Sequence, residues 1–214
     1  MTDTTGYAAG PDYRTGADYT DANDVTADTD DTDDTAIRYA ATPAVPLLPS
    51  RLDRGLLAVV RIGVALLWLQ NVGWKTPPAF GRGDPPGGLY LSASYAVSHE
   101  VLRPYAWLME RYVLPNFTFF GWLVLIVEAA LGAFLLIGLA TRFWALVGIA
   151  ETVAIALSVL NAPNEWYWSY LLMFLVHLAL FATAAGRYAG LDGVLRPKWQ
   201  ESGSWAARVL VRLS

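Results

Sequence analysis

Phe119–Leu139, FFGWLVLIVEAALGAFLLIGL, is the stretch that decides the fold, and its only charged residue is Glu128. At 1.5 Å per residue it crosses the ~30 Å hydrocarbon core of a bilayer as one helix. Three further stretches have the same character: Gly55–Trp74, Phe143–Leu160 and Trp166–Ala185. Only Ala140-Thr141-Arg142 separates the second from the third, and only Asn161–Glu165 the third from the fourth. Connections that short make neighbours antiparallel. The runs are continuous, with Gly and Ala scattered where helices approach closely, and lack the ten-residue alternation of a membrane β-barrel. The expected fold is all-α: an integral, multi-pass four-helix bundle with a long outer loop.

The rest of the 214 residues agrees. Only 16% are charged, against about 25% in soluble domains, 55% are hydrophobic and mean hydropathy is +0.35. The absence of cysteine excludes disulfides, thiolate metal sites, iron–sulfur clusters and Cys nucleophiles. The net charge of −4 hides an asymmetry: residues 1–38 carry ten Asp and two Arg, whereas the remainder is mildly basic. Residues 1–50, with the run TADTDDTDDT (Thr26–Thr35) and a linker at Pro43, Pro46 and Pro49, read as a disordered acidic tail without the features of a secretory signal. Residues 51–195 form the membrane domain, and 196–214 an amphipathic C-terminal segment with Arg208 and Arg212 one turn apart.

With four spans both termini share one side. Arg51, Arg54, Arg142, Arg187, Arg196 and Lys198 flank that side, which the positive-inside rule makes cytoplasmic in the cell membrane. Trp74, Trp122, Trp166, Tyr167 and Trp168 then form an outer aromatic belt. The first connection, Lys75–Thr118, opens with turn material and contains a helical pattern over Ser92–Val113 that lies on the membrane or caps the bundle.

Ionisable residues inside spans are costly, at least ~2.5–3.5 kcal/mol for Arg or Asp on insertion scales, and therefore face the bundle interior and pair. Here Arg61, Glu128, Glu151 and His177 lie one per span. At similar depths they make a candidate catalytic cluster, suited to a quinone head group or a proton relay, because quinone reduction takes up protons. The competing expectation is a structural Arg61–Glu128 or Arg61–Glu151 ion pair with a satisfied core His177, which leaves one carboxylate unpaired.

Other chemistries find no support. The segment Gly81–Gly88, GRGDPPGG, has two prolines and no expected following helix, and there is no HExxH. The only histidines, His99 and His177, belong to the loop and to a span, so neither a bis-histidine haem nor a metal site is expected. Basic residues with aromatics occur at span ends as membrane anchors, and no nucleic-acid surface is present.

The first span and its end, VVRIGVALLWLQNVGWK (Val59–Lys75), resemble the Arg-to-Lys first helix of DoxX-like membrane proteins. Glu128…Gly132…Gly138…Thr141-Arg142 resembles that family's second-span signature, and Gly186-Arg187-Tyr188…Leu191-Asp192 its closing element. The resemblance covers residues 55–195. The long loop after a Trp-rich first span is most similar to the DoxD type, the membrane subunit of thiosulfate:quinone oxidoreductase. That resemblance implies a membrane quinone as electron acceptor, oxidation of thiosulfate to tetrathionate, and a soluble or small membrane partner subunit. Carried over by position, Arg61, Lys75 and Glu128 would bind quinone, with Arg142, Arg187 and Asp192 as further motif positions. Thiosulfate, a dianion, would be drawn to Lys75, Arg82, Arg103 and Arg111. The alternatives are a non-catalytic membrane scaffold for a soluble enzyme, or a small transporter.

Overall fold

The computed structural model describes residues 50–214, and every regular element among them is helical. The acidic tail lies outside the described residues. Helix α1, Arg51–Val72, starts four residues earlier than hydropathy suggests because Ser50 and Asp53 close a capping box. Asp53 N donates to Ser50 Oγ at 3.1 Å, and Ser50 N to Asp53 Oδ2 at 2.8 Å. Helix α4, Phe117–Ile137, stops at Gly138, whose φ of +67° is open to glycine at little cost. Helix α5, Thr141–Val159, follows after the short turn. Helix α6, Tyr167–Thr183, ends at Ala184 in the left-handed region and passes through a 3-10 turn, Ala185–Arg187.

α1, α4 and α5 are long and apolar enough to cross a membrane. At 17 residues, α6 is the shorter fourth helix, near the lower limit for a span. The protein is thus a multi-pass membrane protein, and its exposed surface carries large apolar side chains such as Leu67, Phe119, Ile126 and Leu171. α1 packs chiefly on α4, and α5 on α6. Val64, Ala65, Trp68, Leu131, Leu135, Ala145 and Leu180 form the core between the four helices. Glycines set the closest approaches: Gly132 faces Leu69 and the Ala65 carbonyl, and Gly148 lies against the His177 ring.

The long connection departs from expectation in two ways. Helix α2, Gly88–Ser98, directly follows the Gly81–Gly88 segment, correcting the view that no helix follows it. The single helix anticipated over Ser92–Val113 is instead broken at His99–Leu102, giving α2 and then α3, Arg103–Leu108, which runs into one π-helical turn, Met109–Val113. Pro104 explains the restart: it lacks the N–H that a continuous helix would bond to the carbonyl four residues back and its ring clashes there, yet it is tolerated in the first turn of a new helix. The connection folds over the bundle as a cap, anchored by fully buried Phe80 and by Ala93, Ala96, Met109 and Phe117. The chain ends in α7, Leu191–Ser202, and the amphipathic α8, Trp205–Leu213, whose N-terminus is capped by Ser204.

Candidate functional site

The charged residues of the spans do not meet in one cluster. They separate into a lock on the side where α1 begins, the termini side, and a cavity on the side of the long connection, the loop side.

Arg61 belongs to the lock. The carbonyls that end a helix have no partner within it and carry the negative end of its dipole. Arg61 Nη1 donates to two of these at the end of α4, Leu135 O at 2.5 Å and Leu136 O at 2.9 Å, and Nη2 donates to Ala189 O at 3.0 Å. Asp192 serves the opposite need at the start of α5, where its two carboxylate oxygens accept the N–H groups of Ala140 and Thr141 at 2.7 and 2.9 Å. The Asp192 N–H in turn donates to Gly138 O at 2.9 Å. A Cβ on Gly138 would collide with the Arg61 guanidinium and the Cα of Gly190. The expected Arg61–Glu128 or Arg61–Glu151 pair is therefore corrected: Arg61 spends its donors on backbone carbonyls, because the hairpin between α4 and α5 leaves those carbonyls beside it. Arg142 likewise donates to Phe181 O at 3.2 Å near the end of α6, and Arg187 to Ser214 O at 3.1 Å.

His177 sits in the core between the two regions. Trp68 Nε1 donates to its Nε2 at 2.9 Å, while its Nδ1 lies 2.7 Å from Met173 O. This pattern assigns the neutral ring with the proton on Nδ1, and both nitrogens are engaged.

The cavity has a volume of about 390 Å³. It lies between the bundle and the cap and brings together residues from six places in the chain: Asn71 and Lys75, Tyr105, Glu128, Glu151, Ser158, and the Glu165–Tyr170 pair. Lys75 follows the end of α1, and its side chain turns inward. Its Nζ lies 2.5 Å from Glu128 Oε2, donates to Asn71 O at 3.0 Å, and sits 4.5 Å from the centre of the Trp74 ring. Asn71 Nδ2 donates to the other Glu128 oxygen at 3.3 Å, and Trp74 Nε1 holds the Asn71 side chain at 2.8 Å. The ion pair is almost fully buried, with 1% and 2% of the two side chains exposed. Burial removes Lys75 from the set of surface cations expected to attract thiosulfate. Arg82 stacks on Tyr90, while Arg103 and Arg111 remain exposed.

On the opposite wall, Glu151, Ala154 and Ser158 recur at helical spacing along α5. The Tyr105 hydroxyl donates to Ala154 O at 3.1 Å and lies 3.0 Å from Ser158 Oγ. Burial pushes the Tyr105 phenol above its ordinary value, against the opposing hydrogen bond with Ser158. Glu151 has no hydrogen-bond or ion-pair partner among the described residues. The π-turn lines the same cavity through Met109 and Val113, and π-bulges recur at functional sites. Tyr105, Ser158 and Asn71 were not singled out as polar site residues from the sequence. The available signal was spacing, since Ser158 lies two turns from Glu151 and Asn71 one turn from Lys75.

No group of three or more His, Cys, Asp or Glu able to hold a metal is present among the described residues. No curated protein and no solved structure matches the chain. A family model described as "TQO small subunit DoxD" does match, over residues 56–213, from the first turns of α1 to the end of α8. That span takes in the lock and the cavity alike, and the chain belongs to the DoxD family, the small subunit of thiosulfate:quinone oxidoreductase.

Proposed function

We propose that this chain is the quinone-handling membrane subunit of its oxidoreductase, and that the cavity under the cap takes the quinone ring. The observation that carries this reading is one largely apolar cavity, on the loop side of the bundle, that combines hydrogen-bonding groups with carboxylates. Its volume of about 390 Å³ falls within the ~300–1,000 Å³ of small-molecule sites, which are apolar with a few placed polar groups. Lys75, which keeps a third N–H beyond those given to Glu128 and Asn71 O, supplies a donor for one quinone oxygen, and the Tyr105 and Ser158 hydroxyls supply others by turning from the Ala154 carbonyl that both bond. With the Lys75 ammonium already matched by Glu128, and Glu151 a second carboxyl group on the wall, the cavity has no net positive charge to hold a dianion and suits a neutral occupant, so thiosulfate is oxidised outside it. Quinone accepts two electrons and two protons. The electrons come from joining two thiosulfates through a new S–S bond, with a partner subunit completing the enzyme.

Positive-inside placement puts both termini in the cytoplasm and the loop side outward. Because the chain lacks cysteine, single Cys residues placed at Ser98 and Ser202 report sidedness directly through labelling by an impermeant maleimide.

The deciding experiment is titration of decylubiquinone into the full chain in nanodiscs, read by quenching of tryptophan fluorescence. Wild type binds saturably. Ala154→Phe fills the cavity without removing a polar side chain and is expected to weaken binding at least tenfold. Equal affinity in the two proteins would place the quinone elsewhere.

A further inference from the structure

Three carboxyl groups line the cavity, in three different situations. Glu128 is fixed by Lys75 and Asn71. Glu165, in the exposed turn between α5 and α6, accepts the Tyr170 hydroxyl at 2.5 Å. Glu151, between them on α5, has no partner and is half-buried against the cavity. An ionised carboxylate without a partner is unfavourable in such a place, and a group held that way is one whose proton is exchanged rather than fixed.

The two ends of the bundle differ as proton routes. Towards the termini side, the interior is packed with Val64, Ala65, Leu131, Leu135, Ala145 and Leu180. Among the described residues, the titratable side chain within that layer is His177, which has both nitrogens bonded, and the Arg61 lock beyond it binds backbone groups. Towards the loop side, the cavity reaches Glu165 and Tyr170, and Glu165 is exposed.

We propose that Glu151 is the proton donor to the quinone in the cavity, refilled through the Glu165–Tyr170 pair, so that both protons are drawn from the loop side of the membrane. This rests on the quinone reading above. In each transfer the Glu151 O–H bond breaks and a quinone O–H bond forms. The electrons arrive from thiosulfate, and a proton from loop-side water passes by way of Glu165 and Tyr170 to restore Glu151. The charged and titratable groups facing Glu151 across the cavity are Lys75, Glu128 and Tyr105: Lys75 and Glu128 hold each other and are almost fully buried, and half-buried Tyr105 has its hydroxyl bonded to α5.

The test uses the complete oxidoreductase in oriented vesicles, with thiosulfate, decylubiquinone and an impermeant pH dye on one side at a time. Wild type is expected to remove two protons per quinone reduced from the loop side. Glu151→Gln is expected to lower turnover at least tenfold while quenching by decylubiquinone stays within threefold of wild type. Tyr170→Phe, a milder change at the entrance, is expected to slow turnover several-fold with a steeper fall at high pH. Uptake from the termini side, or wild-type turnover and pH profile in Glu151→Gln, would overturn the proton route and leave the quinone site standing. Loss of quinone binding in wild type itself would instead remove the quinone reading.

Discussion

Lys75→Met isolates what the buried ion pair contributes. In the native protein the ammonium has one carboxylate oxygen at 2.5 Å, one carbonyl at 3.0 Å and one indole face, and almost none of it meets solvent. Removing it leaves Glu128 with a single long hydrogen bond from Asn71 at 3.3 Å. Breaking one partner of such a pair costs about 3–5 kcal/mol, because the remaining charge stays buried. For a chain of this size that corresponds to a fall in the unfolding midpoint of roughly 6–20 °C, at about 2–4 °C per kcal/mol. The double variant Lys75→Met/Glu128→Gln removes both charges and keeps the Asn71 contact. It is expected to recover most of the loss, with a coupling of about 2–3 kcal/mol in the cycle. The assay is thermal unfolding in detergent followed by tryptophan fluorescence, on all four members of the cycle at one pH. A midpoint for Lys75→Met within 2 °C of wild type, or a double variant as unstable as the two singles combined, would refute the reasoning that the pair is a desolvated unit.

The remaining predictions concern the lock and the cap. Gly138→Ala places a side chain at φ +67° and against Arg61, so it is expected to cost at least ~2 kcal/mol. Gly63→Ala, where nothing lies within 4 Å of the new methyl, is expected to be neutral or to stabilise by up to ~1 kcal/mol in the same thermal assay. Asp192→Asn keeps one acceptor for two N–H groups, and about 1–3 kcal/mol is expected to be lost. Faster hydrogen exchange confined to the first turn of α5 is the check, and uniform exchange along α5 would contradict the capping role. Finally, the Tyr105 phenol is held above its ordinary value of ~10, so its folded-state pKa exceeds its unfolded one. Its contribution to docking of the cap is therefore fully present below about pH 10 and is lost as pH rises through the folded-state value. Alkaline unfolding of wild type and Tyr105→Phe should show a difference that narrows above pH 10, and a constant difference would count against this.

Hydrophobic length and composition carried the fold because a bilayer imposes them one segment at a time. Nothing but a helix of nearly 20 apolar residues satisfies its own backbone across hydrocarbon. The gaps of three and five residues between the apolar runs of the sequence then left antiparallel packing as the arrangement for the helices α4, α5 and α6. Family motifs were legible for a related reason: Gly138, Arg61 and Asp192 answer to helix ends, whose unmet hydrogen bonds recur at fixed spacing from the turn.

Pairing was another matter. Depth along the spans suggested that Arg61 meets Glu128 or Glu151, but depth leaves helix rotation free, and rotation decides which charges face each other. Arg61 turned to the carbonyls of α4, and Lys75, from beyond the end of α1, took Glu128 instead. The cap was legible only in part: the helical pattern over Ser92–Val113 left open whether it lies on the membrane or covers the bundle, and its break into α2 and α3 and their placement come from Phe80, Met109 and Phe117 packing together. The sequence alone thus determined an all-helical membrane bundle and its family. Only the tertiary structure decided that the buried charges divide into a backbone lock and a capped cavity, because contacts between residues 50 to 130 positions apart depend on how helices rotate and where a loop folds back.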